Sequence, residues 1–183
     1  MIFLSSVILV KQLFAALNYL NWTPDIVHCH DWQAALVPLY LRTIFKDTNV
    51  GRAGAVLTIH NLRFQGIYDR KTIQYWSDLP DYVFNKDCMT QNWLDANMLK
   101  GGITYCNKLT TVSNTYAGEI QTEEYGEGLE EHLRYHSSKI LGIVNGIDTD
   151  IWNPATDKLL AAQYDSQSVI KNKKANKKHF KNH

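Results

Sequence analysis

The run Ala55-Val56-Leu57-Thr58-Ile59, ending at His60-Asn61, sets the tightest limit on what this chain can fold into. A nearly continuous apolar run of that length belongs to a parallel strand covered on both faces, because a strand with one wet face alternates apolar and polar residues. Residues 25–30 read as a second short buried strand. Pro24 blocks helix before it, Ile26 and Val27 are β-branched, and the run is too short for a helix. Side chains alternate along a strand, so His28 and His30 share one face and Cys29 takes the other. Residues 108–112 and 139–144 supply two more strands, closing at Ser113-Asn114 and at Asn145-Gly146-Ile147-Asp148.

Between the strands the pattern turns helical, over residues 2–20, 32–45, 92–106, 115–121 and 126–136, with one or two further helices in 156–182. Asp31 is placed to cap the second of these, and Pro38 predicts a kink in it or a delayed start. Gly101-Gly102 should weaken or bend the third near its end. Residues 62–90 have no regular pattern and are rich in aromatics, from Phe64 and Tyr68 to Tyr82 and Phe84. A loop that long inside a compact domain is usually functional. Strands separated by helices, with no hairpin signal between them, predict an α/β fold: a Rossmann-like parallel sheet with helices on both faces.

In such sheets ligands sit outside the carboxyl ends of the strands. Those ends supply His28, His30, Asp31, His60, Asn61, Ser113, Asn114, Asn145 and Asp148, a rim suited to a ligand with many hydroxyls. Each has an ordinary alternative: Asp31, Ser113 and Asn114 as helix caps, Gly146 as a turn residue, His28 as a satisfied core histidine. Four strand ends that all turn polar favour a site. A competing reading is metal, with His28 and His30 as a His-x-His pair at a strand end and His60 as a third nitrogen ligand of a hydrolytic zinc.

The chain has 183 residues, 45% hydrophobic and 20% charged, which describes a folded globular domain and excludes a disordered one. Net charge is +1, yet residues 166–183 hold six lysines and no acid. That tail reads as a solvated helix face, not a nucleic-acid or membrane contact. Three cysteines without metal spacing imply reduced thiols and a cytoplasmic setting. The apolar start lacks a basic region and continues at helical spacing past Lys11, so it reads as an amphipathic helix, not a leader or a membrane span. No glycine-rich dinucleotide loop, phosphate loop, nucleophile elbow or Cys-x-x-Cys is present.

The rim and its flanks resemble the bacterial glycogen synthases and plant starch synthases. The matching stretches are Pro-Asp-Ile-Val-His-Cys-His-Asp-Trp-Gln (24–33), Thr-Ile-His-Asn-Leu-Arg-Phe-Gln-Gly-Ile-Tyr (58–68), Leu-Lys-Gly-Gly-Ile (99–103), Thr-Thr-Val-Ser (110–113) and Val-Asn-Gly-Ile-Asp-Thr-Asp-Ile-Trp-Asn-Pro (144–154), in family order. The resemblance implies part of the N-terminal domain of a two-domain GT-B glycosyltransferase, occupying residues 1–165, with 166–183 as a basic helical tail leading towards a second domain. It implies transfer of glucose from ADP-glucose (or UDP-glucose) to the non-reducing end of an α-1,4-glucan, with no cofactor and no catalytic metal. By the same resemblance His60, Asn145 and Asp31 serve catalysis, and Trp32, Gln33, Asn61, Gln65, Gly66, Tyr68, Gly146 and Asp148 bind substrate. Gln33 stands where many relatives have histidine, Asn114 where proline is frequent and Asn107 where aspartate is. The family's donor-binding Lys-x-Gly-Gly loop and nucleotide-binding second domain have no counterpart in these residues, so the expectation is a fragment without turnover. It would be a glucan-binding remnant at most, and prone to self-association through an exposed sheet edge.

Overall fold

Four parallel strands form the central sheet of the computed structural model, which describes residues 2–181. They are β1 (Ile26–His30), β2 (Gly54–Ile59), β5 (Lys108–Thr111) and β6 (Ile140–Gly142), in the spatial order β1-β2-β5-β6. Register aligns Cys29, Leu57, Leu109 and Ile140 on one row and His30, Thr58, Thr110 and Leu141 on the next. Contacts divide the chain into a unit of Met1–Val144, which holds the sheet, and a second of Asn145–His183.

Within the first unit every crossover steps one strand in the same direction. Right-handed crossovers that all step one way put their helices on one face. That face carries Cys29, Ala55, Leu57, Ile59 and Leu109, all buried. The other carries Ile26, His28, His30, Lys108 and Leu141, all exposed. The parallel α/β sheet is as expected, but among the described residues of this unit helices close only one of its two faces. β1 is accordingly an edge strand with one wet face, not a buried one. On the open face a row of hydrogen bonds crosses three strands: His28 Nε2 to Thr58 Oγ1 at 2.7 Å, and Thr58 Oγ1 to Thr110 Oγ1 at 2.6 Å.

The helix α1 (Ile2–Tyr19) buries the stripe Val7, Val10, Phe14 and Leu17, at the spacing of one helical face. Phe14 stacks on Phe45, ring centroids 4.4 Å apart. The helix expected over 32–45 is two pieces, α2 (Asp31–Ala34) and α3 (Leu36–Arg42), which turn at Ala35. Pro38 lies in the first turn of α3, where its missing N–H breaks no intrahelical bond.

Residues 62–90 are more regular than their composition suggests. They contain β3 (Ile67–Asp69), which pairs antiparallel with β4 (Asp95–Asn97), and α4 (Arg70–Ser77), capped by Asp69. The helix expected from 92 begins only at Met98. This is α5 (Met98–Tyr105), whose first turn is capped by Asn97 Oδ1 accepting from Lys100 N. Gly101 and Gly102 do not end it. A Cβ on Gly102 would lie 2.8 Å from that of Ala35, so the residue allows α5 to approach α2 closely.

Ser113, not Asn114, caps α6 (Asn114–Glu119). α7 (Glu130–Tyr135) starts later than the charge pattern implied, after a turn through Glu127 and Gly128. The second unit ends in α8 (Val169–Lys181), and none of its described residues is fully buried. It is held by side chain to backbone bonds, such as Asn176 with both Ala162 N and Ala162 O.

Candidate functional site

The carboxyl ends of β1 and β2 lie side by side, so His30 and Asp31 meet His60. Asp31 has φ +54°, a left-handed conformation uncommon outside glycine. It does not cap a helix through its side chain. Its Oδ1 accepts the backbone N–H of His60 at 2.8 Å, tying the two strand ends together. His30 Nδ1 lies 3.0 Å from His60 Nε2. His60 is thus gripped at its backbone by Asp31 and at its ring by His30, leaving Nδ1 of the ring to address a ligand. Burial holds the His30 imidazole below its ordinary pKa, helped by His28 and His60 and opposed by the Asp31 carboxylate. These influences favour the neutral form of the His30 ring.

A cleft of about 460 Å³ opens at the turn after β2, lined by Trp32, Arg63, Phe64, Gln65, Gly66, Ile67, Tyr68 and Glu127. Trp32 and Tyr68 stand with ring centroids 6.0 Å apart and planes at 51°. Gly66 has φ +65°, and a Cβ there would meet the Trp32 ring at 2.4 Å. Gly66 therefore shapes the cleft by seating the indole.

Gln65 is buried and both its polar ends are satisfied internally, Nε2 donating to Glu127 O and Oε1 accepting from Asn97 Nδ2. It fixes the loop from within the cleft lining. Asn61 Oδ1 accepts from Arg63 N within the turn, and Gln33 is exposed at α2. Asn145, Gly146 and Asp148 lie in the second unit. There Asp148 Oδ1 accepts from Asp150 N and Ile151 N, an aspartate turn.

The metal reading fails on geometry. His28 Nε2 is bonded to Thr58 and His30 Nδ1 to His60 Nε2, so one nitrogen of each ring is engaged within the protein. Among the described residues no group of three or more His, Cys, Asp or Glu side chains could hold a metal ion. Arg63, Phe64 and Glu127 were not anticipated as cleft residues. A run of Glu-Tyr-Gly-Glu-Gly looks like a charged turn, and nothing in it shows that Gln65 draws it against the aromatic cleft.

The sequence pattern that defines the starch synthase catalytic domain matches residues 4–135. The glycogen synthase of Thermotoga petrophila is 50% identical over 149 residues, which is 81% of this chain and 30% of that protein. That of Lachnospira eligens is 45% identical over 168 residues, 91% of this chain and 35% of that protein. The catalytic domain of starch synthase IV from Arabidopsis thaliana, solved bound to ADP and acarbose, superposes with a TM-score of 0.79 at 35% identity. That match covers 96% of this chain and 36% of the other. The chain spans about a third of the length of the curated relatives it matches.

Proposed function

Because this chain belongs to the starch synthase catalytic-domain family, we propose that its protein transfers glucose from ADP-glucose or UDP-glucose to the non-reducing end of an α-1,4-glucan, with retention of configuration. These residues would supply the acceptor-side wall of the cleft. Residues 1–165 belong to the N-terminal domain, and 166–183 lead towards a second one that holds the nucleotide. The observation that carries the reading is His60, held by Asp31 and His30 at the strand ends whose following residues, Trp32 after Asp31 and Arg63 to Tyr68 after His60, line the aromatic cleft. A fixed imidazole can hydrogen-bond a hydroxyl of the transferred glucose without reorganising as the bond breaks, and sugar faces stack on the aromatic rings.

In this assignment Asp31 orients His60 and borders the glucosyl position, while Trp32, Tyr68 and Gly66 shape the acceptor path. Asn61 and Gln33 contact sugar hydroxyls at its edge, and the family resemblance assigns Asn145, Gly146 and Asp148 to substrate as well. The ADP and acarbose of the Arabidopsis structure support a nucleotide-sugar donor and a glucan acceptor for this protein as well. Nothing in the chemistry calls for a metal or a nucleic-acid partner. Three free, buried cysteines support a cytoplasmic location, and among the described residues no helix is long and apolar enough to cross a membrane.

The test is His60→Ala in the full-length protein. Turnover should fall by about 10²-fold or more, the scale of losing one positioned donor in a transition state. Unaltered turnover would overturn the assignment. The isolated chain should bind glucan without transferring glucose, because the groups that neutralise the leaving diphosphate are assigned to the second domain.

A further inference from the structure

We propose that Glu127 and Arg63 make the aromatic cleft selective for an uncharged oligosaccharide, the ligand being gripped between a carboxylate and a guanidinium. The assignment rests on the glucan reading above and adds the residues that choose the ligand.

Both side chains are exposed and line the cleft of about 460 Å³. Among the described residues the ion pairs are Lys11 with Asp78 and Arg70 with Asp81, so Arg63 and Glu127 share one cleft without neutralising each other. The space between two opposite charges that do not touch suits a neutral group with several hydroxyls. Hydroxyls donate to the carboxylate and accept from the guanidinium, whose bonds are stronger for being charge-assisted. A nucleoside diphosphate would gain from the guanidinium but be opposed by the carboxylate, whereas a neutral glucan can use both groups.

The backbone gives an independent reason to single out Glu127. It has φ +48° and is followed by Gly128 at φ +79°. Glycine would take the first position without strain, yet a long acidic side chain occupies it. A strained non-glycine residue that persists at a cleft marks a side chain the site uses. The strain is held from the core: Gln65 Nε2 donates to Glu127 O at 2.9 Å, and Gln65 Oε1 accepts from Asn97 Nδ2 at 2.6 Å. The same glutamine begins the turn that seats Gly66 on Trp32. The backbone that carries Glu127 is therefore fixed relative to the stacking rings, which keeps its side chain at the cleft.

The experiment is calorimetric titration of the purified chain with maltoheptaose, comparing the unaltered protein with Glu127→Gly and Arg63→Gln. Each variant should bind about tenfold more weakly, the value of one charge-assisted hydrogen bond. Glu127→Gly should melt no lower than the parent, because glycine relieves the left-handed backbone. Affinity of the unaltered chain should not change with added NaCl, as expected of a neutral ligand. Undiminished binding by both variants would overturn this proposal and leave the glucan reading standing. A clear loss of Tm in Glu127→Gly would overturn it too, by showing that the glutamate serves the fold. Absence of maltoheptaose binding by the unaltered chain would overturn the glucan reading and this proposal together.

Discussion

His132 makes the stability of this chain sensitive to mild acid, and the effect can be sized. Its Nε2 lies 3.3 Å from Lys100 O and 3.1 Å from Thr104 Oγ1, with the His136 ring edge-on at 4.7 Å. Lys100 O can only accept, so Nε2 carries the hydrogen and a second proton must enter at Nδ1. That proton would be poorly solvated and would meet His136 and the ammonium groups of Lys100 and Lys139. Burial, then these neighbours, push the His132 pKa down to about 4. The group's folded pKa is thus below its unfolded value near 6.5.

Above about pH 6.5 neither state is protonated and the full stability is present. As pH falls from there towards 4 the unfolded chain takes up a proton the folded one refuses, and stability drops. Two and a half pH units at about 1.4 kcal/mol each bound the loss at about 3.5 kcal/mol, which partial solvent access reduces to about 2 kcal/mol. His136, also held low by burial, adds a loss in the same direction.

Urea unfolding followed by tryptophan fluorescence from pH 7.5 to 4.5 should therefore show the midpoint falling by about 1 M, for a slope near 2 kcal/mol/M. His132→Gln keeps a donor for Lys100 O and cannot titrate. It should match the parent within about 1 kcal/mol at pH 7.5 and lose markedly less stability at pH 4.5. Equal losses in the two proteins would refute the reasoning.

Two other expectations concern packing. Gly66→Ala forces a methyl into the Trp32 ring at a left-handed position, and should cost about 2–4 kcal/mol and abolish maltoheptaose binding, measured by urea unfolding and calorimetry. The outer edge of β1 lies beside exposed Leu9, Leu13 and Ile26, so the purified chain should self-associate, and a monodisperse monomer in light scattering would contradict this.

The strands were legible because β2 is a central strand with the continuous apolar run such strands require. β1 was read correctly in position and wrongly in environment: Ile26 and Val27 have the same β-branched character whether a strand is central or at an edge. The polar strand ends pointed to His30, Asp31 and His60 as neighbours. Their division of labour was not readable, because capping by Asp31 and its bond to His60 N use the same carboxylate one residue after a strand. The small antiparallel pair β3–β4 is not legible because its paired residues are 26 to 30 positions apart and each strand is three residues long, too short for alternation to register. Gly101-Gly102 predicts a weakened or bent helix end, whereas the missing side chain of Gly102 serves contact with Ala35, a tertiary fact outside any local window. Glu127 is invisible for the same reason, since Gln65, remote in sequence, holds its backbone at the cleft.

The hydroxyl row on the open sheet face has a polarity that one ring decides. His28 Nε2, Thr58 Oγ1 and Thr110 Oγ1 form a chain in which each hydroxyl has a single hydrogen to give. If Nε2 bears hydrogen it donates to Thr58, which then donates to Thr110. In the other tautomer Thr58 donates to His28, and Thr110 donates back to Thr58. The three strands thus share one hydrogen-bond ordering with two settings, chosen by which tautomer the His28 ring adopts. A change of tautomer at the sheet's edge is thereby felt as a reversed dipole two strands away, without movement of any heavy atom.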